Sequence, residues 1–384
     1  MKYEGIEVVI FGQHCLNTLG QIRSIGALGI CSDVIWVSSD QHSPKGSRWI
    51  KQFKAFSSFE DGLNYLVENY TDIKKKYFIS TDSDEVVSLL DLQYDKLKDR
   101  FIFFNAGENG KLSLFMPKFN QCNLAEKQGM RIPKSELVKR GELPKILNYP
   151  IFTKSPSSKG RWKDNAFICH NTDELKTAYN TISTKTVLLQ EFVEKKNEIA
   201  IEGVSINGGQ EIYAPIQGEY LRIKEGTFGT WKKNEVYYLG DNLLSKIKNT
   251  FQEIGYSGVF EIEFLKDKND NMFFLEINFR HTQYNHALTR MGVNIFQVWI
   301  DSILQGKLCL ESVKRIKTPQ TVINDPKDFR TYVATGQIGI KQWLKDMRSS
   351  DSYYMFDKED PLFVMRYVAR SLYIRIKSRI KSVL

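Results

Sequence analysis

Two glutamates, an asparagine and an arginine lie where strand spacing puts them on one surface. Phe260 to Leu265 and Phe273 to Arg280 both alternate apolar with polar residues, on either side of Lys268-Asn269-Asp270-Asn271, a pattern that predicts a β-hairpin. Side chains repeat every two residues along a strand, so Leu275, Ile277 and Phe279 are expected on one face and Glu276, Asn278 and Arg280 on the other. With those four residues as the turn, Glu263 falls opposite Glu276. Facing carboxylates repel across a ladder, and a divalent cation between them removes the repulsion. Two carboxylates and an amide oxygen are hard donors suited to Mg2+, leaving its other positions to water and phosphate oxygens. Arg280, two residues further along that face, could reach a phosphoryl group. A solvated hairpin with its charges outward is the competing reading, and the upstream sequence decides between them.

Upstream, Glu7 to Gly12, Val34 to Ser38, Tyr77 to Ser80 and Phe101 to Phe104 read as short strands, with helical stretches at Leu16 to Leu28 and Phe59 to Tyr70. Alternation of this kind predicts a doubly wound, mostly parallel sheet. Ligands bind such sheets at the carboxyl ends of their strands, so Gly12 and the run Ser80 to Glu85 are candidate lining residues. No G-x-G-x-x-G follows the first strand, which argues against a dinucleotide site.

In the middle, a helical pattern from Ser113 to Gly129 leads to Pro133, and Tyr149 to Lys154 reads as a strand ending in lysine before the small polar loop Ser155 to Gly160. That loop, with Lys159, could fold over phosphates or simply be solvated. Asn171 to Tyr179 starts a helix with an N-cap and acids in its first turn. Val187 to Val193, a strand from Glu198, and Glu211 to Pro215 predict an antiparallel region. Residues 216–240 carry Arg222, Lys224 and Lys232 among glycines and read as a basic loop that could meet an anionic substrate.

In order, these pieces resemble the ATP-grasp superfamily, of the carboxylate-amine ligase type and similar to D-aspartate ligase and carbamoyl-phosphate-synthase-like members, over roughly residues 5–310. The resemblance implies an α/β and α+β fold: a Rossmann-like domain preceding the ATP-grasp unit (1–110), a small lysine-bearing subdomain (111–190), a large subdomain with the metal site (191–310) and a small helical C-terminal extension (311–384). Position by position, it implies that Lys118, the basic residue opening the helix before Gly129 to Pro133, helps bind ATP, that Lys154 and the loop bearing Lys159 meet its phosphates, and that Gln190, Glu191 and Val193 read the adenine edge. Glu198 would take the ribose hydroxyls, Glu263, Glu276 and Asn278 the metal, and Arg280 the transferred phosphate. The family usually has proline where this chain has Phe279, and more glycine in the phosphate-covering loop. His281, Tyr284, Asn285 and His286 fall where an acceptor pocket is expected, with Arg222 and Lys224 as further substrate candidates. The cofactors implied are ATP and Mg2+, two ions, with Mn2+ as an alternative. The partners implied are a carboxylate and an amine on a small molecule or envelope precursor. A non-catalytic ATP-binding or regulatory protein of the same fold is the alternative, weakened by the retention of Glu263, Glu276, Asn278 and Arg280.

At 384 residues, 42% hydrophobic and 26% charged, the composition is that of a globular protein of two or three domains. The first residues enter a strand directly and no apolar run approaches a membrane span, so a cytoplasmic enzyme is expected. Five scattered cysteines without C-x-x-C spacing suggest reduced thiols and no zinc. Of the net charge of +9, the stretch from Phe363 to Leu384 supplies six cations and no acid. It reads as a basic amphipathic helix that either docks on the protein or meets an anionic membrane or a partner. No nucleic-acid-binding module is legible, so nucleic acid is not expected as a partner. Nothing in the sequence fixes the oligomeric state; a homodimer is one arrangement.

Overall fold

The computed structural model describes residues 2–38, 42–156, 165–223, 229–236 and 240–383, with the side chains of Asp241, Arg375 and 377–383 outside the description. Its first sheet is wholly parallel, in the order β3-β2-β1-β4-β5: β1 (Ile6–Gly12), β2 (Ser32–Trp36), β3 (Ile50–Ala55), β4 (Lys76–Thr81) and β5 (Phe101–Ile102). The central strand β1 is a continuous apolar run because both of its faces are covered. Val8 and Ile10 pack with Leu19 and Ile22 of the helix Cys15–Gly26, while Val9 and Phe11 pack with Leu63 and Leu66 of the helix Phe59–Asn69. Edge strand β3 has no fully buried residue, so it carries no apolar run to betray it in the sequence.

A four-stranded antiparallel sheet follows in the order β6-β9-β7-β8: β6 (Ser135–Lys139), β7 (Ile151–Lys154), β8 (Ile168–Cys169) and β9 (Thr186–Glu191). The helical stretch expected from Ser113 to Gly129 is two helices, Lys111–Phe115 and Lys118–Lys127, because Pro117 cannot continue the first and caps the second.

The largest sheet has the order β14-β13-β10-β11-β12-β15-β16. Its strands are β10 (Lys195–Ile206), β11 (Glu211–Arg222), β12 (Trp231–Val236), β13 (Gly258–Asp267), β14 (Met272–Asn278), β15 (Gln320–Ile323) and β16 (Ser352–Tyr353). The expected loop at 216–240 is therefore corrected: within it, β11 runs on to Arg222 and β12 pairs with both β11 and β15. The C-terminal extension, expected to be helical, also supplies β15 and β16. Trp299, in the helix Ile295–Gln305, joins the layers by edge contacts to Phe78 and Phe104 at 5.3 and 4.8 Å.

The hairpin forms with Glu263 opposite Glu276 and Glu261 opposite Asn278. Its alternation is not uniform. A bulge between Glu263 and Phe264 leaves Leu275 unpaired, so Phe274 takes the core position beside Phe264 that strict alternation assigns to Leu275. Ile277 and Phe279 stay on the core face as expected.

The basic tail is a helix, Pro361–Val383, tied at its start to the first sheet's layer. Arg23 donates to Asp360 Oδ2 at 3.2 Å and to the carbonyls of Tyr354 and Met355, and Ser47 donates to the same Asp360 oxygen at 2.7 Å. Among the described residues no helix is long and apolar enough to cross a membrane.

Gly218 of β11 explains how a full charge pair is accommodated inside the sheet. A Cβ there would lie 1.8 Å from Lys232 Cε. The missing side chain lets Lys232 of β12 cross to Glu202 of β10, Nζ to Oε1 2.9 Å, with exposures of 0% and 1%. Lys232→Met would leave Glu202 buried without its counter-ion and should cost about 3–5 kcal/mol. Urea unfolding tests this: the double variant Lys232→Met/Glu202→Gln should recover most of the loss, and an unshifted midpoint for Lys232→Met alone would show that the pair carries no weight.

Candidate active site

Glu276 sits on β14, the outer strand of the large sheet, and Lys118 reaches it from the first turn of the helix Lys118–Lys127 as an ion pair. Gln121 fixes that geometry one turn on. Its Nε2 donates to the carbonyl of Ile277 at 3.1 Å and its Oε1 accepts the Ile277 N–H at 2.8 Å, so a buried amide completes the open strand edge. Glu263 lies across the ladder on β13. Asn278 Nδ2 approaches Glu261 Oε1 at 3.2 Å and Glu263 Oε1 at 3.3 Å, and Thr282 Oγ1 donates to Glu261 Oε2 at 3.1 Å.

The electrostatics follow from this crowding. Burial, then the charge of Glu276, then that of Glu261, push the Glu263 carboxyl well above its usual range. Burial acts the same way on Glu276, but the Lys118 ammonium overrides it and holds Glu276 low. Lys118 is correspondingly raised: burial disfavours its charge, and Glu276, Glu263 and Asp84 more than restore it. Lys154, the last residue of β7, has less relief. Burial, then repulsion from Lys118, push its ammonium down to about 8, and among the described residues it pairs with no carboxylate. Glu198 and Glu276 both act on Lys154, and Glu198 on Glu263, so the charges expected for phosphate, ribose and metal share one neighbourhood. Glu198 itself accepts from Lys195 Nζ at 2.8 Å.

Arg280 donates Nε to Asp84 Oδ1 at 2.6 Å and Nη2 to Asp84 Oδ2 at 3.4 Å. Burial alone would lower its pKa, but the Asp84 carboxylate raises it instead. Asp84 opens the helix Asp84–Asp91 directly after β4, so the run Ser80 to Glu85 does reach the hairpin from the carboxyl end of the parallel sheet. Its neighbour Asp82 accepts the N–H groups of Gln13 and His14 at 2.9 and 3.0 Å, closing the turn after β1.

Of the three residues expected at the adenine edge, Gln190 and Glu191 lie inside β9, paired with β6 or β7, and the Glu191 N–H is taken by the Lys134 carbonyl at 2.8 Å. Val193, in the connection from β9 to β10, uses neither its N–H nor its C=O in a hydrogen bond among the described residues. It alone of the three offers the bare backbone edge that an adenine needs.

The expected substrate residues are placed differently. Arg222 forms ion pairs with Asp328 and Asp346 and stacks on Trp231; it ties the C-terminal region to β11 and is not available to an anion. His281 is fully buried against Phe296, ring centroids 5.0 Å apart, with neither ring nitrogen bonded, and burial pushes its pKa well down. Tyr284 is buried, donates to the Gly229 carbonyl at 3.1 Å and lies under Lys232. His286 bonds Ser24 Oγ at 3.0 Å, and Asn285 donates to Glu202 at 2.5 Å. Lys159, Lys224 and most of the loop from Ser155 to Gly160 lie outside the described residues. Sequence reasoning missed Glu261, although it precedes Glu263 by two on the same strand face, and Gln121, whose role depends on contact between distant segments.

Glu263, Glu276 and Asn278 bring oxygen donors of the kind a divalent cation takes, but among the described residues no group of three acid, histidine or cysteine side chains is drawn together to hold a metal ion. Glu276 is instead paired with Lys118, and the Asn278 amide reaches Glu261 and Glu263. No family model matches the chain. Over 43% of its length it is 26% identical to the 2-oxoglutarate carboxylase small subunit of Hydrogenobacter thermophilus, spanning only 37% of that protein. In three dimensions it is similar to N5-carboxyaminoimidazole synthetase from Staphylococcus aureus (TM-score 0.62, 16% identity, 88% of this chain and 86% of that one). It is also similar to L-amino acid ligase from Bacillus licheniformis (0.60, 14%, 78% and 74%). A third similar structure is the biotin carboxylase domain dimer of the H. thermophilus 2-oxoglutarate carboxylase in complex with MgADP, ADP and bicarbonate (0.60, 17%, 82% and 73%).

Lys154 gives a test independent of turnover. Its folded pKa of about 8 lies below its ordinary 10.5, so the unfolded chain binds more protons between those values and stability rises with pH across that window. Lys154→Met removes a half-buried, unpaired charge and should stabilise the protein at pH 7 by on the order of 1 kcal/mol, with the gain gone above pH 10.5. Unfolding midpoints of both proteins at the two pH values decide it, and equal midpoints at pH 7 would contradict a desolvated, unpaired ammonium at this position.

Proposed function

We propose that the chain, whose fold is that of the ATP-grasp enzymes, is an ATP-dependent ligase that activates a carboxylate as an acylphosphate and joins it to an amine. The acceptor is a small molecule or a cell-envelope precursor. The observation that carries this reading is the meeting of Lys118, Lys154, Glu198, Glu263, Glu276 and Asn278 in one electrostatic neighbourhood, with Arg280 beside it.

Each group has work suited to it. The bare backbone of Val193 takes the adenine edge and Glu198 accepts from the ribose hydroxyls. Lys118 and Lys154 are two ammoniums that act on each other as like charges, one paired and one not. Together they supply positive charge for phosphate oxygens, and a bound polyphosphate relieves the repulsion that depresses Lys154. Glu263, Glu276 and the Asn278 amide oxygen would hold Mg2+ or Mn2+, which when bound neutralises phosphate charge and polarises the terminal phosphoryl group. Arg280, oriented by Asp84 through Nε and Nη2, keeps Nη1 for the transferred group.

In the reaction, the bond from the terminal phosphorus to ADP breaks as a carboxylate oxygen of the substrate bonds to that phosphorus. The amine nitrogen then attacks the acyl carbon, phosphate leaves and the nitrogen loses a proton. The protein's share is positioning and charge compensation, so no protein nucleophile is required.

Phosphate release from ATP, measured across a matrix of carboxylates and amines, should be stimulated by one pairing, with ADP as the nucleotide product. AMP would replace acylphosphate formation by adenylation, and ATP bound without any stimulated turnover would favour the non-catalytic reading. Glu276→Gln should lower turnover by about 100-fold or more; near-normal turnover would move the metal elsewhere.

A further inference from the structure

Two cavities meet beside the C-terminal helix. One, of about 420 Å3, is lined by polar groups that include His14, Asn17, Gln283 and Arg330. The other, of about 520 Å3, is walled mainly by apolar side chains, among them Phe329, Trp343, Met347 and Ile374. His42, Arg330 and Tyr367 line both, so the chambers share a partition, built on the His42 ring stacked on Tyr367 with centroids 4.1 Å apart. At this partition Arg330 donates Nε to the Pro326 carbonyl at 3.1 Å and pairs with no acid among the described residues. In the apolar wall the indole N–H of Trp343 is buried without a partner.

The polar chamber lies toward the reacting end of the site. Gln283 follows Arg280 by three residues, so it is at most about 11 Å of chain away. His14 has its N–H tied to Asp82, two residues before the Asp84 that holds Arg280. The apolar chamber lies beyond the partition. Its size is within the range of pockets that hold small organic ligands, and its lining suits an apolar group; a guanidinium with donors to spare suits a carboxylate or another anion.

We infer that this pair of chambers binds an amphipathic anion: its charged end in the polar chamber with Arg330 as counter-charge, and a compact aryl or short alkyl group in the apolar one beneath the C-terminal helix. Taken with the ligase reading, on which only this last step rests, the ligand is the substrate that ATP activates or its acceptor.

The probe is 1-anilinonaphthalene-8-sulfonate, an anion with an aromatic body, titrated by fluorescence into the full chain. It should bind and be displaced by 4-phenylbutyrate far better than by acetate. Met347→Trp, which fills the apolar chamber, and Arg330→Gln should each weaken binding by about tenfold or more. Leu372→Glu, on the outer side of the same helix where Leu372 is 54% exposed, should leave it unchanged. All three variants should bind a non-hydrolysable ATP analogue as the parent does, which shows that they fold. Unchanged probe binding in Met347→Trp overturns the inference, as does equal displacement by acetate. Loss of binding in Leu372→Glu would assign the probe to the exposed helix face, and probe affinity that falls as protein concentration rises would assign the chambers to a second copy of the chain; either overturns it too. Failure to find any ATP-consuming reaction would remove the ligase reading and leave this binding result standing.

Discussion

Glu263 and Glu276 face each other across a β-ladder, and the surrounding architecture supplies what that repulsion requires. In a strand pair open to water the cost would be small, because solvent screens the charges. Here Glu263 is crowded by Glu276 and Glu261 in a poorly solvated place, and its carboxyl is pushed well above its usual range. Positive charge has to be brought in by elements other than the hairpin. Lys118 arrives on a helix that Gln121 clamps to the strand edge, and Arg280 is steered by Asp84 from the parallel sheet. Under the proposed function, a cation and a polyphosphate would replace this internal charge compensation with external compensation, so the stability and the affinity of the site would draw on the same few groups.

That exchange explains why a second lysine is left unpaired. Lys154 feels Lys118 as a like charge, and although Glu276 and Glu198 act on it in the other direction, no carboxylate among the described residues forms an ion pair with it, so burial and Lys118 prevail. An ammonium in that state is costly to the folded chain and valuable to a phosphate-bearing ligand. Local strain of this sort is tolerated because the large sheet is held elsewhere, by the fully buried pair of Lys232 and Glu202 and by an apolar core continuous from β1 to Ile277.

Much of the site was legible in the sequence because strand periodicity is strict. The register of Glu263 on Glu276, the turn after Asp267 and the core positions of Ile277 and Phe279 follow from alternation and turn chemistry alone. What alternation cannot show is a bulge, and the one beside Glu263 moved Phe274 into the position expected for Leu275. Segments whose partners are remote in the chain were equally hidden. β3 has no apolar run, β15 and β16 are short edge additions, and the basic stretch around Arg222 looked like a loop because its charges are satisfied by Asp328 and Asp346, far away in sequence. Composition counts charges but does not say which are already neutralised. That is why Arg222 looked available to a substrate and Arg330 did not attract notice.

The same distinction separates two kinds of buried histidine beyond the hairpin. His286 is bonded at Nδ1 to Ser24 and lies near Asp357, whereas His281 is stacked on Phe296 with no partner for either nitrogen. A neutral imidazole left unbonded costs of order 1–3 kcal/mol, and burial keeps His281 neutral by pushing its pKa well down. Its backbone N–H, donated to the Thr81 carbonyl at 3.2 Å, fixes the chain immediately after Arg280 against the carboxyl end of β4. The ring is a wedge that holds this junction, and the polar contacts that orient Arg280 come from Asp84 one layer away. Past His281 the chain turns at Gln283, which lines the polar chamber, so the junction that the ring wedges in place also sets where that chamber begins.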